Sequence, residues 1–426
     1  MTSSVNIDTP KPYEVLSQGL HFGKADQKQW WDAVGPVLAR MLQDSDYTVH
    51  AQYKYLTFFH QCVAPQLGVF PQESPRQRYM SILTPYAVPF ELSINYPRSL
   101  VRFSCEPVGP LAGTDLDPFN KGVLEETFEK FLRAAGEPYI KWYQHFAGKL
   151  VIGDEEASEL IRTQGDQIPS QSRGQTILSA DMGKQGEMMC KAYFYPYMKS
   201  LATGRTVRDL MFDSIRSLDT SGEFSASLSS FESYLRSREK SDTSPSFSPL
   251  FLSTDITDPS TARVKIYSIE ENITWDTIQH VWTFGGTRTD DATLKGLPLL
   301  KELWDILQIP EGRRKEVWMR AHLGIEPTPE KGLCPAIVCN TLERGKEWAS
   351  QQLYLTTWGM KDMDVAERLG VFFKKVGWGE LAEEYAERVM SYYPHKDFNE
   401  TRHVQYIISF SFRKGQPYLS VYHSRW

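Results

Sequence analysis

Residues 262–269 read ARVKIYSI, and in an extended chain these side chains alternate between two faces. Arg263, Lys265 and Tyr267 share one face, while Val264 and Ile266 share the other. Two arrangements satisfy this alternation. In a solvated strand the cations meet water and the aliphatic residues meet the core. In the second, Val264 and Ile266 pack outward against helices and the polar face lines a cavity. Two neighbouring cations in a cavity imply a polyanionic ligand.

Recurrence favours the second arrangement. Arg102 lies in LVRFSCEP, Lys191, Tyr193 and Tyr195 alternate in KAYFYP, Gln352 and Tyr354 in QQLYLTTW, and Tyr418, Ser420 and Tyr422 in QPYLSVYHS. Each segment is strand-like in its β-branched and aromatic content. Strand pairs are expected near 89–106, 175–195, 249–270, 334–357 and 403–424.

Before each strand pair stands a pair of amphipathic helices. In the first, Trp30, Val34, Val37, Leu38, Met41 and Leu42 form one stripe, and Val49, Tyr53, Leu56, Phe59 and Val63 form the next. The other pairs run near 121–148, 205–237, 274–308 and 362–393. The chain thus reads as five ααββ repeats, an α+β fold. Hairpin-like pairs are antiparallel, which excludes a doubly wound parallel sheet and predicts ten strands closing into a barrel. About ten helices would surround it, and ten strands leave a lumen wide enough for ligand.

The 426 residues are expected to form one domain spanning 1–426, with a flexible N-terminus over 1–12. The stretches SQSRGQ (170–175) and SREKSDTSPSFSP (237–249) read as surface loops within it. The first residues lack the basic start and apolar run of a signal peptide, and no stretch is apolar enough to span a membrane. A cytoplasmic location is the expectation. Five scattered cysteines without a CxxC pair argue against a disulfide framework or a thiolate zinc site, and Cys334 and Cys339 read as small core residues. A net charge of −6 disfavours nucleic-acid or anionic-membrane binding. Asn272 and Asn399 open glycosylation-type triplets that carry no weight without a secretory signal.

Known phosphate- and metal-binding motifs are missing. There is no GxxxxGK[ST] loop and no HExxH, and TFGGTRTD (283–290) lacks dinucleotide-fingerprint spacing. Asp290 and Asp291 have no third aspartate at the spacing that holds magnesium on an allylic diphosphate. If a diphosphate binds, Arg and Lys must supply the compensating charge.

Taken in order, PFELSINY, LVRFSCEP, KAYFYPYMK, RVKIY, QLYLTTW and YIISFSFRKGQPYLSVYHS resemble the dimethylallyltryptophan synthase family of fungal aromatic prenyltransferases. The resemblance runs from PYEVLS (12–17) to the C-terminus. It implies an ABBA barrel and transfer of a dimethylallyl group from its diphosphate, the co-substrate, to an aromatic acceptor, usually an indole, in alkaloid secondary metabolism. No cofactor and no metal are implied. Matching diphosphate-binding positions are Arg102, Lys191, Arg263, Lys265 and Gln352, with Arg413 in addition. Tyr193, Tyr267, Tyr354, Tyr418 and Tyr422 match tyrosines that wall in the allylic cation. Glu91 matches the carboxylate that faces the acceptor and draws on the indole N–H; without the resemblance, an ion pair with Arg102 is the simpler account of it. Ile82, Leu83 and Tyr195 are expected at the acceptor, Tyr195 equally as barrel packing, and Glu106 as a structural residue.

Two departures bear on the acceptor. The tryptophan enzymes of the family carry a lysine whose gap-free counterpart here is Leu178. They also hold the amino-acid carboxylate with an arginine, and the corresponding stretch SPSFSPLFLSTD (244–255) has no basic residue. The resemblance therefore points to a less charged acceptor, such as a tryptophan-containing cyclic dipeptide. An O-prenyltransferase or broad-specificity enzyme for hydroxylated aromatics is one alternative, and a non-catalytic barrel binding an anionic metabolite another. No histidine pairs with a Ser or Cys in a triad, and His423 is expected near the barrel mouth without a role. A monomer or homodimer is the default assembly.

Overall fold

The computed structural model describes residues 11–71, 79–85, 87–136, 139–168, 173–241, 246–314 and 334–424. Twelve strands occur among them: β1 (Phe90–Asn95), β2 (Leu100–Cys105), β3 (Thr176–Met182), β4 (Met188–Phe194), β5 (Phe247–Asp255), β6 (Val264–Glu270), β7 (Asn272–Ile273), β8 (Gly312–Arg313), β9 (Ala336–Thr341), β10 (Ser350–Thr356), β11 (Gln405–Arg413) and β12 (Gln416–His423). Ten of them close into an antiparallel barrel in the order β1-β12-β11-β10-β9-β6-β5-β4-β3-β2, and β7 and β8 form a separate two-stranded ribbon. Closure is made by β1 and β12, the first and last strands, through Leu92–His423 and Asn95–Ser420 pairing. A closed barrel leaves no unpaired edge.

The outer barrel face and the helices share one apolar layer. Val264, Ile266, Leu353, Phe410 and Val421 from strands meet Trp30, Leu38, Leu300 and Phe372 from helices, all fully buried. The five expected helix pairs are present as Ala25–Asp44 with Val49–Phe58, Leu124–Ala135 with Lys141–Leu150, Val207–Leu218 with Ser225–Ser241, Trp275–Trp282 with Asp291–Leu307, and Asp362–Lys375 with Gly379–Tyr392. Several of these start on a capping side chain: Thr48, Thr206, Thr274 and Asp290 each accept a hydrogen bond from a first-turn N–H.

Some expectations need correction. Helices Lys11–Gly19, Asp154–Gln164 and Tyr197–Thr203 interrupt the strict ααββ repeat. The first of these also claims Lys11 and Pro12, so helix begins inside the stretch expected to be flexible; residues 1–10 lie outside the described residues. On the helix Val49–Phe58, Val49 is exposed and Tyr53 half-buried, while Leu56, Phe59 and Val63 are buried as expected, joined by Ala51, Tyr55 and Phe58; the helix passes into a π-helical turn at Phe59–Val63. Residues 237–241 extend a helix and 247–249 open β5, so 237–249 is not one loop; 242–245 lie outside the described residues. In 170–175, Arg173 and Gln175 are buried, and the Arg173 guanidinium donates to Gly165 O and Ile168 O. No helix among the described residues is long and apolar enough to cross a membrane.

Candidate active site

Strand register sorts the inward-facing side chains into three tiers. At one end stand Arg102, Asp181, Lys191, Asp255, Arg263 and Lys265. Arg102 lies opposite Asp181 across β2–β3, Lys191 opposite Asp255 across β4–β5, and Lys265 two residues from Tyr267 on the same face. The middle tier is aromatic. Tyr193 and Tyr267 have ring centroids 5.8 Å apart, Tyr267 and Tyr354 6.1 Å, and Tyr354 and Tyr422 5.6 Å, while Phe251 stacks on Tyr267 at 4.4 Å. The far end holds Glu91, Tyr195, Tyr406, Ile82 and Leu83.

A cavity of about 120 Å³ joins these tiers. Its lining includes Ile82, Leu83, Glu91, Arg102, Lys191, Tyr193, Tyr195, Tyr267, Tyr354 and Tyr422 among the expected residues. Arg263, Lys265, Gln352, Arg413 and Tyr418 are not part of that lining. Gln352 is two residues from Tyr354 on the same strand face; its amide donates to Ser409 Oγ at 2.7 Å and accepts from Arg413 Nη2 at 3.0 Å. Arg413 in turn covers the Tyr418 ring at 4.7 Å.

The cations are held by acids that the sequence reading passed over. Lys191 pairs with Asp181, and the Arg263 guanidinium grips Asp255 through Nε at 2.5 Å and Nη2 at 3.1 Å. Arg102 donates to Ser420 Oγ at 2.6 Å and lies 5.8 Å from the Tyr422 centroid. Burial opposes charge on Asp181, yet Lys191, Arg102 and Lys265 overcome it and hold the carboxyl down at about 2. Four cations, Arg102, Lys191, Arg263 and Lys265, thus face two carboxylates, Asp181 and Asp255. Lys265 has no ion-pair or hydrogen-bond partner among the described residues. Burial, with Arg263 and Lys191 beside it, lowers it to about 7 against the pull of Asp255. This end is short of negative charge, and an arriving polyanion would supply it.

At the other end Glu91 accepts a hydrogen bond from Tyr406 Oη. Burial raises its carboxyl to about 7, opposed by Tyr406, Ser104 and, more weakly, Arg102. Its direct partner is therefore a phenol, and the simple Glu91–Arg102 ion pair is not formed. Two β-bulges shape this end. Register shifts occur between Pro249 and Phe251 in β5 and between Gln405 and Ile407 in β11. Each turns two consecutive residues, Leu250 with Phe251 and Tyr406 with Ile407, onto the cavity. Strict alternation would have sent one of each pair outward, which is why Tyr406 escaped the sequence reading. Asp181 was legible, since it continues the alternation of Ile177 and Ser179.

A family model of tryptophan dimethylallyltransferases matches residues 26–388. The chain belongs to this family. Relatives of the family include 6-hydroxy-7-prenyldeoxybrevianamide E synthase of Aspergillus versicolor, 39% identical over 97% of both chains. Among solved structures, AnaPT from Neosartorya fischeri superposes with a TM-score of 0.85 at 30% identity over 97% of each chain. NotF in complex with brevianamide F and DMSPP gives 0.82 at 26% identity, covering 97% of this chain and 98% of that one. The enzymatic class is that of dimethylallyl diphosphate-dependent indole prenyltransferases, and the ten-stranded barrel is the family's ABBA fold.

Two placements correct the sequence reading of this prenyltransferase, and one bears it out. Leu178 is paired with Ala192 and buried against the helices, whereas Ile177 and Ser179 face the cavity. The β3–β4 hairpin gives its inward positions odd numbers on both strands, so the gap-free count landed on the wrong face. His423 is not at a mouth: it is buried behind the barrel wall between the rings of Tyr392 and Tyr393, and burial lowers it to about 3. Cys334 is buried, as expected, beside Trp358 and Tyr406; Cys339, also buried, packs with Tyr267 on the cavity side of β9.

Proposed function

We propose that the protein prenylates the indole of an acceptor lacking a free α-carboxylate, such as a tryptophan-containing cyclic dipeptide, by metal-independent electrophilic aromatic substitution. The observation that carries this reading is the order of tiers along one lumen: surplus cations, then a tyrosine cage, then a carboxylate. The donor diphosphate is assigned to Arg102, Lys191, Arg263 and Lys265, with Gln352 and Arg413 at the outer margin. Fixed donors in a water-poor lumen stabilise the departing diphosphate as the allylic C–O bond breaks, the role a metal ion plays elsewhere. The faces of Tyr193, Tyr267, Tyr354 and Tyr422 stabilise the allylic cation by about 0.5–2 kcal/mol each and exclude water. Tyr418 stacks under Arg413 and is assigned to the diphosphate end.

Glu91 is assigned to the indole N–H. Drawing on that proton raises electron density in the ring as the new C–C bond forms, and the ring proton is then lost to restore aromaticity. Leu250 and Phe251 support the uncharged acceptor, since these are the side chains that β5 presents to the cavity and neither can hold a carboxylate. The barrel closes only when β12 reaches β1, which supports one domain over the whole chain. The test is incubation with dimethylallyl diphosphate and a panel of indoles, cyclic dipeptides and phenols in excess chelator, with products read by mass spectrometry. Prenylated cyclic dipeptide is expected. Absence of both product and diphosphate release would leave only an anion-binding barrel; restoration by magnesium would end the metal-free reading; free tryptophan as the best acceptor would overturn the acceptor class.

A further inference from the structure

Glu106 follows β2 directly, two residues beyond Ser104 in the cavity wall, and its backbone N–H donates to Pro89 O at 3.0 Å just ahead of β1. Its carboxylate is 1% exposed and forms no ion pair among the described residues. Instead Oε1 accepts from Tyr79 Oη, while Oε2 accepts from Ser81 Oγ at 2.5 Å and from the Ile82 N–H at 2.8 Å. All three donors belong to the turn that carries Ile82 and Leu83 into the cavity.

That turn is braced internally. Ser81 N donates to Ala87 O, Ala87 N to Thr84 O, and Thr84 Oγ1 bonds both Val88 O and Val88 N, each at 2.9–3.0 Å. These bonds connect the turn internally, and its three donors to Glu106 tie it to the end of β2. Gly174 is shaped to the same group: a Cβ there would stand 2.0 Å from Glu106 Oε1 and 2.6 Å from Tyr79 Oη. A buried carboxylate without a cation is costly, and removing it strands three donors.

We propose that Glu106 is a positioning residue for the acceptor, locking the turn of Ile82 and Leu83 against the barrel rim so that the indole presents one ring position to the cation. This rests on the reading that this end of the lumen takes the acceptor. A glutamine at 106 is nearly isosteric: its carbonyl oxygen would serve Ser81 and Ile82, and its amide would donate to Tyr79 Oη, since a hydroxyl accepts as well as donates. Alanine leaves all three donors unpaired.

The experiment compares Glu106→Ala, Glu106→Gln, Ser81→Ala and Ile82→Ala. For Glu106→Ala, acceptor KM should rise about tenfold or more and prenylation should spread over additional ring positions. The affinity for a non-ionisable donor analogue should stay at the wild-type value. Glu106→Gln should restore both acceptor KM and a single product. If Glu106→Ala does not fold, Ser81→Ala reads the same two quantities with a smaller shift. A folded variant with wild-type acceptor KM and product ratio overturns the proposal, as does equal loss of donor and acceptor affinity. If Ile82→Ala leaves acceptor KM unmoved, the acceptor reading of this end falls. If Ile82→Ala moves it while Glu106→Ala does not, only the role of Glu106 falls.

Discussion

The two ends of the lumen respond to the same force in opposite directions. Burial raises the Glu91 carboxyl to about 7 and lowers the Lys265 ammonium to about 7, because a low-dielectric wall disfavours charge of either sign. The partners differ. The carboxylate end offers Glu91 two hydroxyl donors, Tyr406 Oη and Ser104. The cationic end sets Asp181 and Asp255 against four cations and leaves Lys265 without a partner among the described residues. On the proposed function, one end draws on the proton of a neutral ring and the other completes its charge with an anion.

The largest effect that would break this comparison is expected at Glu91. Glu91→Gln should retain donor affinity while turnover falls roughly 10²–10⁴-fold, and the rising limb of acceptor kcat/KM near pH 7 should disappear. A variant with wild-type turnover would remove Glu91 from the chemistry and reduce its end of the lumen to packing.

Lys265→Met should act on the other end alone. It strands no carboxylate, because Asp255 keeps Arg263 and Asp181 keeps Lys191, so the fold should persist. Loss of one charge-assisted contact should weaken the donor about 10–100-fold with acceptor affinity unmoved. The sign of its pH dependence follows from the lowered value. Above about 7 the free protein holds Lys265 neutral, and a bound diphosphate favours the ammonium, so donor binding should take up close to one proton near pH 8. In the unliganded fold the same lowering makes stability rise with pH above about 7, where the unfolded chain still binds the proton. Calorimetry in buffers of different ionisation enthalpy measures the uptake; equal proton uptake in wild type and Lys265→Met would assign the proton elsewhere.

A smaller effect is expected at the bulge of β5. Leu250→Arg places a guanidinium on the cavity wall beside the acceptor end and should shift the acceptor ratio several-fold toward free tryptophan, to about tenfold for one new charged contact. An unchanged ratio would mean that the acceptor carboxylate does not reach this wall.

Much of this architecture was legible in the chain. The alternation of Arg263, Lys265 and Tyr267, repeated around Arg102, Lys191, Gln352 and Tyr418, predicts a polar lumen, and the apolar stripes such as Trp30–Val34–Leu38 predict the surrounding helices. These are local properties: side-chain direction in a strand or helix follows from backbone geometry over a few residues. Parity across a turn or bulge cannot be read from alternation alone. The gap-free count falls on outward-facing Leu178 because the β3–β4 turn, closed by Gly183 N–H on Glu187 O, sets Met182 opposite Met188 and so fixes which positions of the two strands share a face. Tyr406 and Leu250 reach the cavity only through bulges that periodicity cannot announce.

The sequence by itself determined which residue types line the lumen and that they recur on five strand pairs, since alternation and composition require no partner. Only the tertiary structure decided what each charge faces: Asp181 and Asp255 beside the cations, Tyr406 on Glu91, and the turn of Ile82 on Glu106. Those pairings join strands and turns distant in sequence. Their strength comes from a desolvated interior that exists only once the barrel has closed.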